Sequence, residues 1–73
     1  MELVTVFRTF RDAEAQVVRS RLDAAGIPAT IRNEKSNLAG SAGIAGIEFL
    51  VDVPEVNAAD ARSLIDAPKD NPQ

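Results

Sequence analysis

Four basic residues lie near the ends of predicted elements, where they could together hold an anion. Arg8 ends a predicted first strand and Arg11 opens a predicted helix. Arg32 ends a predicted second strand and Lys35 begins the segment after it. If the two strands run parallel, these ends meet at the positive end of the helix, which suits phosphate or carboxylate. The alternative is a solvated rim neutralised by nearby carboxylates, and we favour it because exposed ion pairs are common and weak.

Three glycines occur in the segment GSAGIAG, namely Gly40, Gly43 and Gly46. Such a segment could cradle a phosphate with its backbone. A P-loop, however, needs Gly-Lys-Ser/Thr leading into a helix, and this segment leads into a predicted strand. We therefore predict a flexible loop over residues 33–46, and we leave a role of this loop in binding open.

Catalytic chemistry has little support in this composition. The chain has no Cys and no His, which removes the commonest metal ligand and the commonest general base near neutral pH. A serine nucleophile would have no evident base. We expect no catalysis, no metal and no cofactor. The enzymatic alternative is an acylphosphatase-like or other phosphate-handling activity, with Arg11 and Asn33 holding a phosphate and a water, although the phosphate-binding loop of such enzymes is missing.

The charge balance and hydropathy limit the partners. A net charge of −3 and a pI near 4.7 argue against nucleic acid, since phosphate contacts need a basic surface. The N-terminal residues lack the pattern of a signal peptide, and no stretch approaches the roughly 20 apolar residues that span a bilayer. A Cys-free chain is compatible with a reducing compartment. We expect a cytoplasmic protein with no membrane partner.

The elements that position these residues begin with a strand and a helix. A run rich in β-branched and aromatic residues predicts the strand over Leu3–Phe10. A helix follows, with Asp12 as its cap or in its first turn, and Gly26 ends it as a left-handed residue after the last turn. The strand is expected to present Leu3, Thr5 and Phe7 on one face and Val4, Val6 and Arg8 on the other. The helix is expected to bury Ala15, Val18, Leu22 and Ala25.

The second half of the chain predicts two strands and a shorter helix. Ile27–Asn33 is predicted as strand two, and Ile47–Val53 alternates clearly enough to predict strand three. Asn57 is the expected cap of helix two. The apolar side of this helix comprises Ala58, Ala61, Leu64 and Ile65, and residues 67–73 are expected to form a flexible tail.

The predicted order β-α-β-β-α indicates an α+β domain. A right-handed crossover makes strands one and two parallel, and strand three can lie between them, antiparallel to both. This is a ferredoxin-like split β-α-β arrangement with sheet order 1-3-2 and both helices on one face. We predict a single domain over residues 1–66, in which the fourth strand of that fold is missing or rudimentary.

Strand one is then an exposed edge of the sheet. It is apolar, and natural proteins rarely leave such an edge bare. The face of the sheet away from the helices also carries Leu50 and one apolar side of strand one. A domain of this size is marginally stable alone. We therefore predict a homo-dimer or small homo-oligomer that forms through this edge or this face.

The central part of the chain resembles a known family. The pattern is a strand, then EAQVVRSRLDAAGIPATIRNE, then a Gly-containing loop and an apolar strand ending in Val-Pro. It is similar to the small bacterial domain named "putative prokaryotic signal-transducing protein", over roughly residues 3–66. The residues that carry the resemblance are Glu14, Ala15, Val18, Leu22, Gly26, Ile27, Pro28, Asn33, Glu34, Val51, Val53 and Pro54.

This resemblance implies a ferredoxin-like fold related to PII (GlnB-like) regulators, in which a long loop between strands two and three contacts targets. The corresponding loop here is residues 33–46. We therefore expect a non-catalytic bacterial binding or regulatory module that acts through this loop and an oligomeric sheet surface, with a protein or a small anion as partner. The alternatives are the phosphate-handling enzyme and a purely structural protein-interaction domain.

Overall fold

Helices and strands follow one another along the chain in the predicted order. A computed structural model describes residues 2–36 and 46–66. The two helices are separated by a hairpin of two strands, and a short 3₁₀ turn leads into the second helix. The elements are β1 (Leu3–Thr9), α1 (Asp12–Ala24), β2 (Thr30–Ser36), β3 (Gly46–Pro54), a 3₁₀ turn (Glu55–Asn57) and α2 (Ala58–Asp66).

The strands form one sheet with the order β1-β3-β2. Strand β3 is antiparallel to both neighbours, so β1 and β2 run parallel and α1 is the crossover between them. This arrangement confirms the predicted α+β, split β-α-β fold with sheet order 1-3-2. The described residues contain three strands, and a fourth is not among them.

Strand β3 is central because its residues suit burial on both sides. Val51 and Val53 are fully buried and belong to the core between sheet and helices. Leu50 and Asp52 are buried on the other side, which we call the open face because neither helix packs there. Alternate residues of a strand point to opposite faces, so these four consecutive buried residues serve both faces.

Helix α1 packs against the sheet through one apolar stripe. Ala15, Val18 and Leu22 are buried as predicted, whereas Ala25 is exposed just past the last turn. Helix α2 adds the small residues Ala58 and Ala61, which allow its backbone to approach the sheet closely. Leu64 and Ile65 complete the predicted apolar side as partly buried neighbours of the core.

The end of α1 is a hydrogen-bonded Schellman motif. The Gly26 N–H donates to the Asp23 carbonyl at 2.9 Å, and the Ile27 N–H donates to the Leu22 carbonyl at 2.9 Å. Gly26 has a φ of +84°, which confirms the predicted left-handed residue. Leu22 and Ile27 both enter the core, so the motif also fixes the path of the chain into the sheet.

Strand two was predicted too early in the chain. It begins at Thr30 rather than Ile27, because the Ile27 N–H is used by the helix end and Pro28 has no N–H to donate. It continues to Ser36, so the first residues of the predicted loop 33–46 are strand, and Gly46 is the first residue of β3. Gly40 and Gly43 lie outside the described residues.

The predicted faces of strand one were also wrong beyond Thr5. Thr5 pairs with Asp52 and Phe7 pairs with Val51, so Val6 is an extra residue in β1. Such a β-bulge breaks the alternation of side chains. As a result, Val4 and Phe7 both belong to the helix side with the core, while Thr5 and Arg8 share the open face.

Substitution of Gly26 tests the helix end. A left-handed conformation costs an L-residue about 1–2 kcal/mol. Replacing Gly also lowers the conformational entropy of the unfolded chain, which stabilises the folded state by only about 0.4–1 kcal/mol. An added Cβ would meet nothing within 4 Å, so backbone strain is the main term. We expect Gly26→Ala to lower the free energy of unfolding by about 1 kcal/mol in urea titrations, and Gly26→Asn to lower it less. Equal urea midpoints for Gly26→Ala and the native chain would contradict this account.

Candidate functional site

The most connected polar group of the described residues lies in the middle of the open face. Asp52 is on the central strand and only 5% exposed. A buried carboxylate is costly unless hydrogen bonds and an opposite charge compensate it. Both are present, because its cross-strand neighbours are Thr5 on β1 and Thr30 on β2, and Arg32 lies two residues beyond Thr30. We call Thr5, Arg32, Glu34 and Asp52 the open-face network.

The network joins all three strands. The Arg32 Nε donates to the Asp52 Oδ2 at 2.9 Å, and the Thr5 hydroxyl donates to the Asp52 Oδ1 at 2.7 Å. The Arg32 Nη2 donates to the Thr5 Oγ1 at 3.1 Å, and its Nη1 forms an ion pair with Glu34. Each nitrogen of the guanidinium therefore has a partner within the network.

The charge state of Asp52 follows from these contacts. Burial by itself raises the pKa of this carboxyl, since it disfavours the charged form. Hydrogen bonds from Arg32 and Thr5, together with the positive charges of Arg32 and Arg8, act in the opposite direction. The net result is a pKa below the ordinary value of 3.8, so Asp52 is an anion at neutral pH.

Leu50 occupies the open face beside this network. Its cross-strand neighbours are Arg8 on β1 and Arg32 on β2. Arg8 forms an ion pair with Glu48 at 3.8 Å, and long basic side chains can cover apolar neighbours with their stems. Leu50 is only 2% exposed, so it adds little exposed apolar surface to this face, and association through the face stays a prediction.

The structure brings together two of the four cations predicted to hold an anion. Arg8 and Arg32 flank Leu50, and each has a carboxylate partner. Arg32 lies within β2 and not at its end, and Lys35 is also inside β2, where it pairs with Ile47. Anion binding by the four residues stays a prediction, and an anion would have to compete with existing ion pairs at Arg8 and Arg32.

Arg11 lies apart from these pairs, at the N-terminal cap of α1. Its backbone N–H donates to the Thr9 hydroxyl oxygen at 3.1 Å, and that hydroxyl donates to the Glu14 carboxylate at 2.6 Å. A carboxylate near the first turn is favourable for the helix dipole. The end of α1 that was expected to attract an anion thus already has acidic residues of its own, Asp12 and Glu14.

Asp52 is the residue whose role the sequence did not predict. The alternation of β3 predicts only that it shares a face with Glu48 and Leu50. A signal was present, because Asp is uncommon within strands and this one lies in a run of apolar residues on the most hydrophobic strand. Its pairing with Arg32 was not predicted, since the register that joins them depends on the tertiary fold.

A cleft of about 520 Å³ lies between α1 and the edge strand β2. The helix contributes Asp12, Gln16 and Arg19, which are spaced along one side of α1. The sheet contributes a partly apolar floor with a polar rim. These sheet residues are Thr30, Ile31 and Asn33 of β2 and Phe49 of β3. We refer to this feature as the α1–β2 cleft.

A second, smaller groove of about 190 Å³ lies on the other side of α1, toward α2. Its floor is more apolar and includes Phe7, Val17 and Leu64. Glu14 and Arg21 lie at its rim. The two charged residues Arg19 and Arg21 of one helix therefore belong to different grooves.

Two further observations concern only residues 2–36 and 46–66. No helix in these ranges has the length and apolar character that a membrane crossing needs. The same ranges contain no cluster of three or more acidic side chains that could hold a metal ion.

Comparison with known proteins gives one match. A family model described as "Putative prokaryotic signal transducing protein" matches residues 3–68, a range that covers every element from β1 to α2. The match confirms the resemblance based on the helix and its Gly-Ile-Pro end. No curated protein and no solved structure matches the chain.

The open-face network predicts a pH-dependent contribution to stability. Because the pKa of Asp52 is lower in the folded than in the unfolded chain, its contribution is complete above the ordinary Asp range and is lost as pH falls through the folded value. We expect Asp52→Asn to be less stable than the native chain at pH 7. The difference should shrink below about pH 4, as measured by urea unfolding at a series of pH values. A difference that stays constant down to about pH 2 would show that this carboxylate is not stabilised by its neighbours.

Proposed function

The chain belongs to the family described as "Putative prokaryotic signal transducing protein", and from that premise we propose that it is a non-catalytic binding and regulatory module of the bacterial cytoplasm. In this proposal the domain transmits a signal by making and breaking contacts with other protein surfaces. Its relation to GlnB-like regulators is part of the same proposal.

The observation that carries this proposal is the pair of sheet edges. Within residues 2–36 and 46–66, β1 and β2 each pair with β3 alone. Each therefore has an outer side whose backbone groups have no strand partner among those residues. An unpaired edge is a template for another strand, and this makes the sheet suited to protein contact.

The charged side chains support a binding role over a catalytic one. Arg32 and Asp52 contact each other, with the Arg32 Nε 2.9 Å from the Asp52 Oδ2, and this pair joins β2 to β3. Catalytic groups are typically aimed at an accessible cleft in which a reacting atom can sit. The Asp52 carboxylate is instead buried under its own partners.

Self-association through the edge of β1 is part of the proposal. Leu3 at the start of β1 is 52% exposed, and Phe10 just after its end is 53% exposed. On the open face, by contrast, Leu50 is buried and its neighbours form ion pairs. We therefore assign the homo-dimer contact to the β1 edge. Residues 37–45 of the predicted target-binding loop lie outside the described residues, so a role for the loop rests on the resemblance alone.

A lysine at Leu3 tests the dimer contact. We expect the native chain to sediment as a dimer at tens of micromolar, and Leu3→Lys to shift it to monomer, because a charge at the contact must be desolvated on association. Analytical ultracentrifugation measures this shift.

Ile47→Lys is the matched control for this substitution. Ile47 is also 52% exposed and also lies in a strand, but it pairs with Lys35 of β2 and lies outside the part of β3 that pairs with β1. We expect this variant to remain dimeric. A native chain that is monomeric at these concentrations, or a loss of dimer in both variants, would exclude association through the β1 edge.

A further inference from the structure

The two edges of the sheet differ in their regularity. Strand β1 carries the bulge between Thr5 and Phe7, and bulges disturb the backbone ladder of an edge strand. Strand β2 pairs with β3 in an unbroken register from Thr30 to Ser36. Its outer side is therefore the more regular template for an added strand.

The α1–β2 cleft lies directly beside this regular edge. Ile31 and Phe49 are partly buried at its floor, whereas Asn33, two residues farther along the same side of β2, is exposed. Helix α1 therefore leaves β2 uncovered at Asn33. A strand that adds to β2 would turn every second side chain toward this cleft, since side chains alternate along a strand.

The charges at the cleft have a defined order. Helix α1 runs opposite to β2, because it returns the chain between two parallel strands. Arg19 therefore lies toward the Thr30 end of the cleft, and Asp12 lies toward the Asn33 end. Their existing partners are weak: Arg19 is 3.7 Å from the exposed Asp23, and Asp12 accepts a 3.4 Å hydrogen bond from Gln16.

We propose that the β2 edge and the α1–β2 cleft bind an extended segment of a partner protein, which adds as a fourth strand beside β2. One apolar side chain of the segment enters the cleft over Ile31 and Phe49. The neighbouring side chains on the same face are charged. The one on one side of the apolar residue is acidic and contacts Arg19, and the one on its other side is basic and contacts Asp12. The inference rests on the proposed function, since it names the partner chemistry of such a module.

The spacing of the helix charges fits such a segment. Asp12 and Arg19 are seven residues apart on α1, which corresponds to about 10.5 Å along the helix axis. Two side chains four residues apart on a strand face are about 13 Å apart. Flexible Arg and Lys side chains easily cover the remaining difference. The segment should therefore have the pattern charge-x-apolar-x-charge with charges of opposite sign.

Selection from a random peptide library displayed on phage provides the probe. We expect the full chain to enrich peptides with this pattern, and the order of the two charges reports whether the peptide runs parallel or antiparallel to β2. A synthetic peptide of the enriched sequence should shift the amide resonances of residues 30–36 and of Gln16 and Arg19. The resonances of β1 should not move.

A charge exchange then tests the contact itself. Arg19→Glu should weaken binding of the enriched peptide about twofold to fivefold, the range of an exposed ion pair. A peptide in which the acidic residue is replaced by Lys should regain affinity for this variant. Arg21→Glu is the matched control, because it makes the same change in the same helix but at the other groove, and it should leave binding unchanged.

Several outcomes would overturn the inference. The first is the absence of any enriched peptide, and the second is a set of resonance shifts confined to β1 or to the second groove. The third is equal weakening of peptide binding by Arg19→Glu and Arg21→Glu. The fourth is protection of the β2 amides from hydrogen exchange by a second copy of the chain as its concentration rises. If the dimer responds to Leu3→Lys as expected while no peptide is enriched, only this inference fails. If a peptide binds β2 but the chain is monomeric, only the β1 contact fails.

Discussion

The buried carboxylate of Asp52 is the constraint on which the sheet depends. A charge on the central strand would be expensive to remove from water without partners, and its partners come from both outer strands: Thr5 from β1 and Arg32 from β2. Their hydrogen bonds form together only in one register. A slip of either strand by one residue would place these side chains on the wrong face and leave the carboxylate unpaired. The network thus specifies how the three strands align, in a domain too small to rely on a large core.

The same network determines which surfaces are available for function. The sequence places Arg32 at a strand end, either in an anion site or neutralised by a nearby carboxylate, and in the structure its guanidinium contacts Asp52, Glu34 and Thr5 on the open face. The open face is consequently a set of satisfied charges around a covered Leu50. Among the residues that the structure describes, we therefore propose the strand edges and the grooves on either side of α1 as the surfaces for contact with other molecules.

Features that depend on residues close together in the sequence could be predicted, whereas features that depend on contacts between distant residues could not. Local signals were sufficient for the end of α1 at Gly26, for the alternation of β3 and hence for the order of the elements. The predicted start of β2 was wrong because Ile27 is typical of a strand, whereas its N–H donates to the Leu22 carbonyl at the end of α1. The bulge at Val6 and the pairing of Asp52 with Arg32 were not predicted for a different reason. Both depend on how separate strands pair, and periodicity within one strand does not report that pairing.

The two edges of the sheet have complementary properties that follow from these details. The β1 edge is apolar but bulged, which favours packing of side chains such as Leu3 over an extended backbone ladder. The β2 edge is regular but charged, and charged residues discourage indiscriminate pairing while they permit a partner of matching charge. Thr5 and Arg32 lie on these opposite edge strands and meet at one carboxylate. A partner that binds at one edge therefore contacts a strand whose side chain is hydrogen-bonded to Asp52, and the same carboxylate is hydrogen-bonded to the strand at the opposite edge.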